Sequence, residues 1–190
     1  KVFDNAGYYL KLGDFESANR IYQKFAEDYP EDERTVEAFY NVGKYHLERD
    51  REFEAKRLFQ KALDRSDELK TKGKEYNPYT AAEALYILVG YDYEEYTNVK
   101  FKLPKSAIEA DQERKKQMIA DLVEKYVKLM SYATPRFPEA AYMKANIFEE
   151  FADTWNAQEK AVMQKALEPV HKANPDVIPN RWIDQIYKMK

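Results

Sequence analysis

The residues with catalytic potential in this chain are few and scattered. It holds two histidines, His46 and His171, and no cysteine. Zinc-binding histidines come at ligand spacing, as in His-Glu-x-x-His, and these two stand far apart without such a companion. No thiol is available as nucleophile, metal ligand or disulfide partner. His46 lies in Tyr45-His46-Leu47 of a helical stretch, where a structural histidine is the plainer reading than a general base. There is no Gly-x-Ser-x-Gly elbow and no glycine-rich phosphate loop. Adjacent carboxylates such as Glu94-Glu95 and Glu149-Glu150 point to different sides of a helix, so neither pair converges on a substrate. The reading is of a chain that is not an enzyme, with no cofactor and no metal.

Composition narrows the class further. Charged residues make up 34 % and hydrophobic ones 44 %, with only 5 Gly, which suits a folded helical chain rather than a disordered one. A net charge of -3 gives no reason to expect nucleic acid or an anionic membrane surface. No window approaches the roughly 18 consecutive apolar residues of a membrane span, so no membrane insertion is expected within this segment. The acid-rich stretch from Glu27 to Glu37 reads as a solvated loop. The chain opens on Lys1-Val2-Phe3 and closes on a run, Trp182 to Lys190, that resembles the start of another helix. Both ends suggest an excerpt of a longer protein.

Helical periodicity organises the sequence. Phe15, Ala18, Ile21, Tyr22, Phe25 and Tyr29 fall on one helical face, preceded by a turn at Gly13-Asp14 and stopped by Pro30. A second pair of helices repeats the plan, with Phe39, Val42, Gly43 and Leu47 on the first. Phe53, Ala55, Leu58, Phe59, Ala62 and Leu63 mark its second helix. Further helices are predicted over 79–97, 107–132, 138–155 and 157–172, with turns near Asp50, Pro104 and Asn156. The polar stretch Glu109 to Gln117 is expected to project past the core, and Pro169 to fray the last helix. The organisation is then 1–73 as two regular hairpins, 74–132 as a third with a long insertion, and 133–190 as a fourth, degenerate hairpin with the start of another helix.

One motif recurs across these elements. Glu-Ala-x-Tyr stands at Glu37–Tyr40, Glu83–Tyr86 and Glu139–Tyr142, each time early in a predicted helix. Such self-similarity marks stacked helical hairpins, which bind proteins more often than they catalyse. With Phe39, Val42 and Gly43 on one helix and Ala55, Phe59 and Ala62 on the next, the chain resembles the tetratricopeptide repeat (TPR) family. Ala18, Tyr22 and Pro30 fit the same pattern in the first hairpin, while Val89 and Ala145 replace the family's glycine later on. Tyr29-Pro30-Glu31 and Ile147 to Ala152 resemble bacterial envelope members: Tol–Pal-associated proteins, outer-membrane assembly lipoproteins and gliding-motility repeat proteins.

The resemblance implies an all-α, right-handed α-solenoid of about four hairpins that acts as a protein-binding scaffold in the periplasm or at the outer membrane. A cytoplasmic location also fits the cysteine-free composition. In this family the first helix of each hairpin lines a concave groove. That places Phe3, Tyr40, Tyr86 and Tyr142 on the inner surface, with Lys44, Gly90 and Asn146 one turn further along. The partner implied is a protein or peptide segment. The alternative is that these tyrosines close the superhelix on itself, leaving a structural spacer that positions flanking domains without a ligand of its own.

Overall fold

A computed structural model of the chain describes residues 1–101 and 105–173. They form seven α-helices: α1 (Val2–Lys11), α2 (Phe15–Asp28), α3 (Thr35–Leu47), α4 (Glu52–Thr71), α5 (Pro78–Asn98), α6 (Lys105–Ser131) and α7 (Phe137–Ala173). No strand occurs among the described residues, so the all-α reading holds at that level. The expected linker around Pro104 and the helix-like run from Trp182 lie outside them.

Local chemistry sets the boundaries. Asp14 caps α2 by accepting a hydrogen bond from the Ser17 amide at 3.0 Å, and Gly13 supplies the left-handed turn before it with φ +78°. The Thr35 hydroxyl donates to the Tyr29 carbonyl at 2.7 Å and so ties the end of α2 to the start of α3. Asp50 makes the turn into α4 with φ 56°, a conformation that aspartate tolerates better than most residues. Asn77 receives the Tyr79 amide at 3.0 Å ahead of α5, and Pro78 and Pro138 stand in first turns, where a missing N–H is harmless.

The helices pack in sequence order from α1 to α4. Ala6, Ala18, Tyr22, Phe25, Ala26, Ala38, Val42 and Leu58 form one core cluster, with Phe3, Tyr9, Leu10, Ile21 and Phe39 against it. Small residues where two helices meet let the backbones approach, and the aromatic rings fill the remaining space. The chain divides into two compact units. The first comprises Lys1–Tyr93 and Leu122–Ala141, and the second Glu94–Asp121 and Tyr142–Lys190.

One expectation is corrected and another holds except at a single residue. No turn interrupts the chain near Asn156, because α7 runs unbroken from Phe137 to Ala173. The stretch Trp155-Asn156-Ala157-Gln158 contains neither glycine nor proline, and a single asparagine costs a helix interior only about 0.7 kcal/mol. Most of the polar stretch from Glu109 to Gln117 is exposed, but one residue in it departs from the expectation. Lys115 is fully buried in the second unit. A lysine can lay its methylene stem in a core when its ammonium finds acceptors, and periodicity counts it as surface.

Candidate functional site

The three Glu-Ala-x-Tyr segments open α3, α5 and α7 in a common register. Ala38, Ala84 and Ala140 are each fully buried. Two residues on, Tyr40 and Tyr86 are half-buried and Tyr142 is 66 % exposed. A buried alanine followed two residues later by an accessible tyrosine is what a helix gives when it packs by one face.

Around Tyr86 the first unit builds a complete polar assembly. Arg136, the residue preceding α7, donates from Nε at 2.7 Å and from Nη2 at 3.0 Å to the two carboxylate oxygens of Glu83. Its Nη1 reaches Glu139 at 3.0 Å, and its guanidinium carbon lies 4.0 Å from the centre of the Tyr86 ring. The Tyr86 hydroxyl donates to the other Glu139 oxygen at 2.6 Å. Glu83 is only 9 % exposed, so this two-point pairing compensates a carboxylate taken out of water. The bond to Glu83 holds Arg136 firmly in its charged form. The Tyr86 bond, helped by Arg136 and opposed by burial, pulls the Glu139 carboxyl below its usual range. The same bond raises the Tyr86 phenol.

The other proposed groove residues have different surroundings. Phe3 is half-buried, edge-on to Tyr22 at 5.1 Å and to Phe25 at 5.2 Å, with the Arg34 guanidinium 5.5 Å from its ring centre. Arg34 is itself held by both oxygens of Asp32, at 2.9 and 2.8 Å. Tyr40 packs on Phe59 with ring centres 5.8 Å apart, and exposed Lys44 brings its ammonium to 5.9 Å from the Tyr40 ring. Burial raises the Tyr40 phenol, with the Glu83 charge adding to the effect and Arg136 opposing it. Tyr40 and Tyr86 thus share one electrostatic neighbourhood in the first unit. Tyr142 and half-buried Asn146 belong to the second unit. A side chain at Gly90 would meet nothing within 4 Å, so the surface of α5 is open there.

Arg136 is the residue that periodicity alone overlooks. Its signal is nonetheless present, because Arg-x-x-Glu-Ala-x-Tyr spans both Arg34–Tyr40 and Arg136–Tyr142. In both places the arginine reaches an aromatic of an earlier helix. The acid-rich stretch after α2 is likewise more structured than a plain solvated loop. Besides the Asp32–Arg34 pair, Glu31 accepts from Lys72 and from Lys74, each at 2.8 Å.

In the second unit Lys115 is the group most open to a chemical interpretation, since a buried amine with a depressed pKa can act as a nucleophile. Its Nζ donates to the Thr154 hydroxyl at 2.7 Å, the Val99 carbonyl at 3.2 Å and Glu150 at 3.3 Å. It also lies 4.6 Å from the Tyr96 ring centre. Burial lowers its pKa and Glu150 opposes that shift. Three acceptors for three N–H bonds make this an anchored ammonium. His46 is half-buried, its Nδ1 has no hydrogen-bond partner among the described residues, and burial together with the Arg51 charge lowers its pKa. Among the described residues no three histidine or carboxylate side chains are placed to hold a metal ion. No described helix is long and apolar enough to cross a membrane.

Compared with models of known protein families, the chain matches none. It matches no curated protein sequence either.

Proposed function

We propose that this chain is a non-catalytic scaffold for protein–protein interaction, a right-handed α-solenoid of tetratricopeptide type within a larger bacterial cell-envelope protein, taking a partner segment along the groove-facing positions of its first helices. What carries the reading is the common register of α3, α5 and α7: a fully buried alanine, then a tyrosine that keeps part of its ring accessible, each time at the same step of the motif. Tyrosine offers apolar area and a hydrogen-bonding tip at small entropic cost, which is why it is common at interfaces. The envelope location rests on the family resemblance.

The spacer reading has its own support. The Tyr86 ring and hydroxyl are both engaged within the chain, by Arg136 and Glu139. The two readings separate on Tyr40 and Tyr142, whose phenol groups have no such partner among the described residues. The test uses full-length protein in its native envelope, crosslinked and affinity-purified, beside variants with Tyr40→Ala and Tyr142→Ala that melt like the parent. Loss of a specific partner from the variants supports the scaffold. A partner set unchanged by both substitutions sinks it in favour of the spacer.

A further inference from the structure

The first unit contains both a receptor for a guanidinium and the guanidinium that fills it. On α5, Glu83 and Tyr86 stand one turn apart; Arg136 takes both oxygens of the Glu83 carboxylate and lies across the Tyr86 ring at 4.0 Å. Glu37 and Tyr40 repeat this pair on α3 at the same spacing. No arginine of the described chain takes up the second pair. Arg34, the nearest by sequence, has its guanidinium bound by Asp32 and set against Phe3 and Phe25. Arg136 is committed to Glu83 and Glu139. Glu37 forms no hydrogen bond or ion pair among the described residues, and burial raises its carboxyl, with Arg34 only partly offsetting it. Tyr40 and Glu37 are both half-buried, so each keeps part of its side chain in reach of solvent.

We infer that Glu37 and Tyr40 form a binding site for an arginine side chain of a partner segment. The inference rests on the scaffold reading and deepens it by naming the chemistry that α3 selects. Arginine is required for a geometric reason. Its planar fork gives two parallel N–H bonds to one carboxylate while its flat face lies on a ring. A lysine ammonium is a compact, strongly hydrated charge that cannot do both, and Lys44 already stands 5.9 Å from the Tyr40 ring without bonding Glu37. The net charge of -3 favours approach of a cationic segment.

The test titrates the intact chain with the blocked tripeptide acetyl-Ala-Arg-Ala-amide and its Lys counterpart. Tyr40 ring and Glu37 carboxyl resonances are followed by NMR in the parent, in Glu37→Gln and in Tyr40→Leu, each first shown to melt like the parent. The Arg peptide should move both resonances and bind about tenfold tighter than the Lys peptide, and either substitution should remove about tenfold. Equal response to Arg and Lys overturns the inference. So does an Arg response unchanged in both variants, or no Tyr40 shift up to about 20 mM peptide. The broader reading fails separately. Partner capture that needs Tyr142 but is indifferent to Glu37→Gln removes this site and keeps the scaffold, whereas the tripeptide titration reads the site even if no partner is captured.

Discussion

The ring of Phe59 occupies the space that a side chain at residue 43 would need: a Cβ on Gly43 would stand 2.7 Å from Phe59 Cε1 and 2.9 Å from Cδ1. Phe59 is fully buried, so its ring has little freedom to retreat. Gly43→Ala should therefore force α3 and α4 apart and lower stability by about 1–3 kcal/mol. Gly90→Ala is the control, because a Cβ there meets nothing and glycine weakens a helix interior by about 0.5–1 kcal/mol. Urea unfolding of the two variants should give shifts of opposite sign. Shifts of the same sign would contradict the close contact.

Among the described residues two non-glycine positions hold left-handed backbone, Ala133 with φ 52° and Asp50 with φ 56°. Alanine has no polar side chain to favour that conformation, whereas aspartate tolerates it. Ala133→Gly should raise stability by about 1 kcal/mol, and Asp50→Gly by less. Thermal melts ranked in the reverse order would show that the two turns differ in some other way.

Removing Arg136 should do more harm than removing its partner as well. Arg136→Ala leaves the Glu83 carboxylate, 9 % exposed, without its two-point partner, and a loss of about 3 kcal/mol is expected. Adding Glu83→Gln should recover part of that loss, since an uncharged amide is easier to bury. A double-mutant cycle measures the coupling. Strict additivity would mean that the pair contributes nothing jointly.

Glu31 sets an acid limit of its own. Hydrogen bonds from Lys72, then Lys74, lower its carboxyl to about 2 from the ordinary 4.5. A lowered acid contributes stability in full above its unfolded pKa and loses it as pH falls towards the folded value. The Glu31 contribution should therefore fade between pH 4.5 and about 2. Carboxyl NMR should show Glu31 ionised at pH 3.5, and Lys72→Gln with Lys74→Gln should return it towards the usual range. An ordinary titration in the parent would show that these lysines do not hold it.

Lys115 should act in the opposite pH region. Its folded pKa is lowered below 10.5, so the charged form is penalised by burial at neutral pH and relieved as pH rises towards 10.5. Lys115→Met keeps the volume and removes the charge, and its stability should stay within about 1.5 kcal/mol of the parent at pH 7. As pH rises towards 10.5 the parent should gain relative to that variant. The difference between the two is the useful readout, because the phenol of Tyr22 is raised to about 12 by burial and weakens both proteins alike in alkali. A constant difference across that range would place the Lys115 ammonium outside the core.

How far the fold is legible from sequence depends on what a residue meets. α2 is clear because its apolar spacing, its Asp14 cap and Pro30 agree. Gly43 and Ala55 are legible as small residues at a helix contact, and both are buried. The missing turn at Asn156 follows from over-reading one asparagine where no breaker is present. Lys115 and Arg136 escape a periodicity argument for a common reason: the places their charged ends take depend on acceptors at Val99, Thr154 and Glu150, or at Glu83 and Glu139. Some of those partners are tens of residues distant, and hydropathy treats any charged side chain as wet.

The long sequence separation of the Arg136–Glu83 pair also affects how the protein is made. Helices α1 to α4 contact their neighbours in order and can close as soon as each emerges from the ribosome. Glu83 has to wait 53 residues for its guanidinium. At an elongation rate of roughly 5–20 residues per second, that leaves α5 without its counter-charge for some seconds. During that interval the Glu83 carboxylate and the Tyr86 ring stand without the guanidinium that later covers them.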